Sequence, residues 1–378
     1  MIPYNIPCVT GQEKDRIHQV LETGKFSGDG EFTRMCHAWF NSKFTQSRTL
    51  LTTSGTHSLE MAVILAGIGP GDEVIMPSYT FTSTATAVVI RGGVPVFIDI
   101  RPDTMNMDES LIEKAVTDRT RAIIAVHYAG IACEMDSIVD IAHKYGLFVI
   151  EDAAQSILST YKGKYLGTMG DFGCFSFHET KNIQCGEGGA TVVNNLEYQE
   201  RAEIIREKGT NRSQFWRGEI DKYTWIDTGS SYLPSELNAA FLSAQLEEAE
   251  KIILKRQQDW DKYYKGLSNL SDQGFITLPC VPEECTGNGH IFYIKLKDSE
   301  TRSELIRYLK NRDIMSVFHY IPLHSSHAGM RFGRFHGKDI YTTTESEKLL
   351  RLPMYYSITD DDLNYVIESI ESFYKISQ

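Results

Sequence analysis

Three short stretches carry residue types that could do chemistry together. In TTSGTHSLEMA (52–62) a Ser-Gly-Thr turn opens an apolar helical run. The first amides of a helix have no partner within it, and the helix dipole favours an anion there. A phosphate fits such a turn, and so does plain capping by Ser54 or Thr56. In FVIEDAAQS (148–156) an apolar strand ends in Glu151 and Asp152, followed by two alanines that leave room for something bulky. An acidic side chain at the carboxyl end of a strand stands in the ligand crevice of an open parallel sheet; the plainer reading is a solvated loop carboxylate. In GCFSFHETKNIQCGEGGATVVNN (173–195), Lys181 comes just after a strand and just before the glycine-rich turn Gly186, Glu187, Gly188, Gly189. Burial in such a corner disfavours the ammonium, and the neutral amine attacks carbonyls. Most lysines are solvated surface groups, so it is the combination of anion cradle, carboxylate and amine that points to chemistry.

These residues need a scaffold that gathers strand ends at one edge. The first two-thirds of the chain alternates short β-branched runs with amphipathic stretches, the pattern of strands joined by crossover helices. Strands are expected at Glu73 to Pro77, Val94 to Ile100, Ala122 to Tyr128, Phe148 to Glu151, Gly173 to Phe177 and Ala190 to Asn194. Helices are expected at Ser58 to Ala66, Ser110 to Val116, Met135 to Tyr145 and Glu197 to Lys208. Parallel strands require such crossovers, so an α/β fold with a mostly parallel sheet covered on both faces follows. From Ser235, SELNAAFLSAQLEEAEKIILKRQQDWDKYYKGL runs as a helical pattern, with neither Gly nor Pro for roughly thirty residues up to Gly266, a length that bridges two bodies. A strand from His290 to Leu296, a helix from Thr301 to Asn311 and a closing helix from Asp360 to Tyr374 complete the pattern. The expected division is a large domain over residues 1–245, with an N-terminal arm, and a smaller C-terminal α/β domain over 246–378.

Composition narrows the function classes. A formal net charge of -12 disfavours a sequence-independent hold on nucleic acid. No uncharged apolar stretch approaches membrane-spanning length, and MIPYNIPCVTGQEKDR shows neither a basic leader nor an apolar run, so a cytoplasmic protein is expected. The 7 cysteines are scattered, odd in number and without a Cys-x-x-Cys pair, which argues against a disulfide framework or a zinc site. His324 and His327 sit three apart, but no carboxylate or Cys completes a ligand set between His319 and His336, and no metal is expected.

Taken in order, and with PGDEVIMPSYTFTSTA (70–85), VHYAG (126–130), SFHETKN (176–182), GEGG (186–189) and YIPLH (320–324), the three stretches resemble the fold-type-I pyridoxal-phosphate enzymes. More narrowly they resemble the DegT/DnrJ/EryC1/StrS nucleotide-sugar aminotransferases, over nearly the whole chain. The resemblance implies pyridoxal 5'-phosphate as cofactor and a homodimer with its sites at the interface. It implies transfer of an amino group from L-glutamate to C4 of a nucleotide-linked 4-keto-6-deoxysugar. The expected pair is dTDP-4-keto-6-deoxy-D-glucose and dTDP-4-amino-4,6-dideoxy-D-galactose, a deoxyamino sugar for lipopolysaccharide or enterobacterial common antigen. By matching position, Lys181 would carry the cofactor as a Schiff base and move the proton, and Asp152 would pair with the pyridine nitrogen. Phe81 would stack on the ring, and Gln155 would lie near its hydroxyl. Gly55, Thr56, His57 and Ser176 would form the phosphate cup, and Tyr320 and His324 would approach the sugar.

One departure bears on the dimer. Many relatives carry Gly-Tyr-Asn-Tyr-Arg-Met before the long helix, where this chain has Gly229, Ser230, Ser231, Tyr232, Leu233 and Pro234. That region reaches across the dimer in the family, so Ser231 for the cofactor phosphate, and Asn211 and Arg212 for the substrate, are candidates without a motif behind them. Rival readings are the same chemistry at C3 or on a UDP or GDP sugar, a sugar dehydratase of the same fold, and a non-catalytic sensor. Dehydratases that resemble the family replace the lysine with histidine, whereas Lys181 is present here, and no DNA-binding module is appended to the pattern.

Overall fold

The computed structural model describes residues 1–376. Its centre is an eight-stranded sheet in the spatial order Arg48–Thr52, Gly189–Val193, Phe172–Ser176, Phe148–Asp152, Thr120–Val126, Glu73–Pro77, Val94–Ile98 and Arg334–Phe335. Gly189–Val193 runs antiparallel to both of its neighbours, and the remaining pairs are parallel. Burial on both faces explains why the strands read as continuous apolar runs rather than alternating ones. Successive residues of one strand enter different cores: Val74 and Met76 pack with the helix Gly55–Leu65, while Ile75 packs with Met135, Ile138 and Ala142 of the helix Met135–Tyr145. The parallel order turns the carboxyl ends of Glu73–Pro77, Thr120–Val126, Phe148–Asp152 and Phe172–Ser176 toward one edge, where the candidate residues lie.

A separate apolar cluster surrounds the antiparallel pair Phe292–Lys295 and Leu349–Leu352. It is backed by the helices Ala249–Asp272, Ser299–Lys310 and Asp360–Ile376, which supply Tyr263, Leu305 and Val366. Ile2 belongs to this cluster and bridges to Ile314, so the first residues pack with the C-terminal elements rather than with the sheet that follows them. No helix among the described residues is long and apolar enough to cross a membrane.

The expected strands appear with ends moved by one or two residues, and two unforeseen strands, Arg48–Thr52 and Arg334–Phe335, close the two edges. The second is held from outside itself, because Arg334 donates to the buried Glu73 carboxylate at 3.2 and 2.9 Å. The long helix is two helices, Glu236–Glu247 and Ala249–Asp272, broken at Glu248 (φ -92°, ψ 5°) with neither Gly nor Pro to mark the bend. The stretch from Ser110 to Val116 is a 3-10 turn followed by the single turn Ile112–Ala115.

Glu236 joins two of these elements. Its carboxylate, 1% exposed, accepts the amides of Gly30 (2.9 Å), Phe32 (2.9 Å) and Thr33 (3.2 Å) and the Thr33 hydroxyl, capping the helix Glu31–Lys43 from across the fold. Gly30 is required at this contact, since a Cβ there would stand 2.5 Å from that carboxylate. Glu236→Ala leaves three amides without their acceptor, at a cost of roughly 3 kcal/mol. The thermal unfolding midpoint, read by scanning calorimetry, is expected to fall by about 4 °C. An unmoved midpoint would remove Glu236 from any structural role.

Candidate active site

At that edge the chain encloses a cavity of about 620 Å³. One wall is the start of the helix Gly55–Leu65. Ser54 caps it, its hydroxyl accepting the amide of His57 (3.1 Å) and its carbonyl the amide of Ser58 (3.1 Å). The amides of Gly55 and Thr56 have no partner among the described residues, and both residues line the cavity. Gly55 must be glycine, because a Cβ there would lie 2.7 Å from Cβ of Ser176. That close approach sets the Ser176 hydroxyl, at the end of its strand, beside the two free amides. His57 does not join them. Its amide is used by the cap, its ring bonds Thr53 and packs against Tyr232 at 5.2 Å, and it does not line the cavity.

The next wall is the end of Phe148–Asp152, where strand alternation sends neighbouring acids in opposite directions. Glu151 is buried and accepts the amides of Gly167 (2.7 Å), Met169 (2.6 Å) and Gly170 (2.7 Å) and Nε2–H of His127 (2.9 Å). Burial would raise its pKa, but His127 and these amides together hold it below the ordinary carboxylate value. Because Nδ1 of His127 accepts the amide of Cys133 (3.1 Å), its proton sits on Nε2. Glu151 is thus a structural anchor, and Asp152 is the acid that lines the cavity. Asp152 Oδ2 accepts the Thr84 hydroxyl at 2.8 Å and Oδ1 the Ala154 amide at 3.3 Å. Burial raises its pKa, against the opposing pull of Thr84, Ala154 and Lys181, and no cation is bonded to it among the described residues. A protonated ring nitrogen would complete that arrangement.

Phe81 leads into the helix Thr82–Val89, is 56% exposed and lines the mouth with its ring 6.2 Å from that of Tyr320. Gln155 accepts the amide of Ala129 (2.7 Å) and donates to the Tyr320 hydroxyl (2.8 Å), which fixes its amide and leaves one N–H for the cavity.

Lys181 faces Asp152 across this space. Its own amide bonds the carbonyl of His178 (2.9 Å), which anchors the turn after Phe172–Ser176. Lys181 is half-buried, and it lines the cavity wall. Burial lowers its pKa to about 8, with Asp152 pulling upward and Arg351 downward. The adjacent Asn182 donates to the carbonyl of Asn288 (2.9 Å), so its oxygen faces Nδ1 of His290 (2.9 Å), which therefore carries the proton. Burial, then Lys181, Arg256 and Arg351, push the pKa of His290 well down, so this cavity residue is neutral.

A neutral amine is the nucleophile, and protonation removes it. Capture of an aldehyde by Lys181 is therefore expected to slow about tenfold per pH unit below about 8 and to level off above it. Stopped-flow absorbance of cofactor uptake by the apoprotein reads this directly. A profile still rising steeply above pH 9.5 or so would mean an ordinary lysine.

Not every expected residue reaches the cavity. His324 is held by Ser78 (Nδ1 to Oγ, 2.7 Å) and Asp339 (Nε2 to Oδ2, 3.2 Å), because the turn Leu323–Ser325 docks on the end of Glu73–Pro77. Asn211 accepts the amide of Thr224 (2.8 Å), Arg212 packs on the Trp216 ring at 5.6 Å, and Ser231 is exposed beside Glu207; none of the three lines the cavity. Among the cavity groups with no role assigned from sequence are His127, His290, His319 and Arg351, and Thr84 stands behind them, reaching the cavity only through Asp152. Thr80 and Thr84 left a signal, a hydroxyl pair one helical turn apart that meets at 2.8 Å. Arg351, inside RLPMYY, left none.

The DegT/DnrJ/EryC1/StrS aminotransferase family matches residues 7–371. The chain is 31% identical to GDP-perosamine synthase of Escherichia coli O157:H7, covering 99% of this chain and 98% of that protein. Among solved structures, DesV of S. venezuelae superposes with a TM-score of 0.89 at 29% identity, over 98% of both chains. The PLP form of Spr1654 from Streptococcus pneumoniae superposes with a TM-score of 0.88 at 25% identity, again over 98% of both.

Proposed function

Because the chain belongs to the DegT/DnrJ/EryC1/StrS aminotransferase family, and is thus a pyridoxal-phosphate-dependent nucleotide-sugar aminotransferase, we propose that it aminates C4 of dTDP-4-keto-6-deoxy-D-glucose. L-Glutamate is the donor and dTDP-4-amino-4,6-dideoxy-D-galactose the product. Bound pyridoxal phosphate supplies the aldehyde that takes up the amino group and a cationic ring that draws off the electrons left when a carbon–hydrogen bond breaks. The single observation that carries the reading is one cavity walled by two free helix-start amides, a buried unpaired carboxylate and an amine of lowered pKa.

In this reading the amides of Gly55 and Thr56 and the hydroxyl of Ser176 hold the phosphate. Asp152, steadied by Thr84, holds the proton of the ring nitrogen, Gln155 offers its spare N–H to the ring hydroxyl, and Phe81 covers the ring at the mouth. Lys181 takes the proton from the donor carbon and delivers it to the carbon on the other side of the transferred nitrogen, then reverses this for the sugar. Tyr320 is the sugar-side residue within the cavity. Ser231, Asn211 and Arg212 lie outside this chain's own cavity and are assigned to the partner's site in a homodimer. The chain divides into a cofactor-holding body and a smaller body near residue 246, and works in the cytoplasm.

Amination at C3, or on a UDP or GDP sugar, is the second reading, favoured for the nucleotide by the name of GDP-perosamine synthase. The deciding experiment gives the purified protein L-glutamate and a panel of 3-keto and 4-keto sugars on dTDP, UDP and GDP, with NMR of the product. The expected product is the 4-amino galacto sugar on dTDP. A 3-amino product, or faster turnover of a UDP or GDP sugar, replaces the proposal with its rival.

A further inference from the structure

An enzyme that takes an amino group from an amino acid must seat a carboxylate bonded to the very carbon that its lysine has to reach. Burying that carboxylate in the cavity without a cationic or hydrogen-bonding partner is costly, so the positive groups that line it limit where it can go. Lys181 is the reacting amine. His127 has committed its one N–H to Glu151. His290 has committed its N–H to Asn182. His319 is bonded through Nδ1 to the Tyr128 hydroxyl (2.8 Å) and is held neutral by burial and by Arg351. His178 lies 3.7 Å from the carboxylate of Glu187. The free amides of Gly55 and Thr56 are taken by the phosphate.

Arg351 remains, on the strand Leu349–Leu352. Its Nε and one terminal nitrogen both donate to the carbonyl of Phe318 (3.2 and 2.9 Å), and its guanidinium lies 4.7 Å from the Tyr4 ring centre. Tyr4 is itself tied down, its carbonyl accepting the amide of Met354 (3.2 Å). No carboxylate pairs with Arg351 among the described residues, and its second terminal nitrogen has no partner. The guanidinium is thus a fixed, unneutralised fork on the wall of the cavity that holds Lys181. Such a fork, already oriented by a carbonyl and an aromatic face, binds a carboxylate with little further loss of freedom.

We propose that Arg351 seats the α-carboxylate of the amino-acid donor, which makes it a residue that selects the donor for the first half-reaction. The proposal rests on the reading of this cavity as the aminotransferase site. It places the α-carboxylate, and not a side-chain carboxylate, on Arg351 because Arg351 shares the cavity with Lys181 and the α-carboxylate is the one bonded to the carbon that Lys181 must reach. The keto sugar brings no carboxylate to that position, so the two half-reactions depend on Arg351 unequally.

The half-reactions are followed separately by cofactor absorbance in Arg351→Gln and Arg351→Lys. In Arg351→Gln the apparent affinity for L-glutamate is expected to fall about 10- to 100-fold, and amination of the keto sugar by the aminated enzyme less than about threefold. Arg351→Lys, which keeps the charge and loses the fork, falls between. With the wild-type protein, L-isoglutamine, whose α-carboxylate is an amide, should show the same loss, and the loss should vanish in Arg351→Gln. Calorimetry of 2-oxoglutarate on the unaminated holoenzyme, which has no amino group to give it, makes the same comparison without turnover. Unchanged glutamate affinity in Arg351→Gln, equal losses in both half-reactions, or wild-type indifference to the α-amide overturns the assignment. A wild-type enzyme that accepts glutamate but aminates no keto sugar strikes the function reading instead and leaves Arg351 standing.

Discussion

Lys181→Ala is expected to lower turnover at least about 1,000-fold while leaving the protein folded. The loss is large because one amine serves twice: it captures the aldehyde of the cofactor, and it carries a proton between two carbons in each half-reaction. The fold should survive, since the side chain of Lys181 makes no hydrogen bond or ion pair among the described residues and only its backbone is tied, to His178. Stability should if anything rise at neutral pH. The folded-state pKa is depressed to about 8 from the ordinary 10.5, so below about pH 8 the folded protein holds a protonated amine that burial disfavours. Removing the amine removes that penalty, and a melting curve at pH 7 should show a midpoint no lower than wild type. Lys181→Arg is the sharper control, because a guanidinium keeps the charge and reach but does not give up its proton. It should be as inactive as the alanine variant. Turnover by Lys181→Arg within about tenfold of wild type would show that a neutral amine is not what the reaction uses.

What could be read from sequence is what local pattern dictates. The carboxyl end of a buried strand locates Asp152, a turn after the next strand locates Lys181, and a Ser-Gly-Thr turn before an apolar run locates Gly55 and Thr56. In each case the backbone element itself points the group at the crevice. What could not be read is a side-chain direction decided by a distant partner. His57 follows directly on the phosphate turn, yet Thr53 and Tyr232 turn its ring away. His324 ends a motif expected at the sugar, yet Ser78 and Asp339 hold it beside the sheet. Arg351 faces the cavity because Phe318 and Tyr4 hold it there, from 33 residues upstream and from the other end of the chain. The same limit applies to the fold: the edge strand Arg334–Phe335 exists because Val94–Ile98 pairs with it and Glu73 binds its arginine, neither of which two residues can announce.

Asp152→Asn tests the other end of the cavity. The substitution keeps size and shape, and the asparagine oxygen can still accept the Thr84 hydroxyl that Asp152 accepts at 2.8 Å. The amide then turns its NH₂ toward the position where Asp152 would hold a proton. A donor there favours an unprotonated ring nitrogen, the opposite of what the carboxylate favours. Opposite unit charges about 4 Å apart interact by about 4 kcal/mol at an effective dielectric of about 20, which bounds the effect at about three orders of magnitude in rate. The expected loss is therefore about 100- to 1,000-fold in both half-reactions, with the yellow colour of bound cofactor retained because Gly55, Thr56, Ser176 and Lys181 are untouched. Equal loss in both halves separates this group from Arg351, whose replacement should weigh on the amino-acid half. Asp152→Glu keeps the charge but crowds a buried site packed against Thr84 and Ala154, and should fall between asparagine and wild type. Burial raises the pKa of Asp152, and a cation in front of it favours the ionised form. Loading the cofactor should therefore draw that pKa down, and infrared difference spectra of holoprotein against apoprotein at pH 5 should show carboxylate signal gained on loading in wild type and absent in Asp152→Asn. A holoprotein of Asp152→Asn that turns over within about fivefold of wild type would mean that no charge is needed at this position, and with it the electron-withdrawing role of the ring nitrogen would be lost.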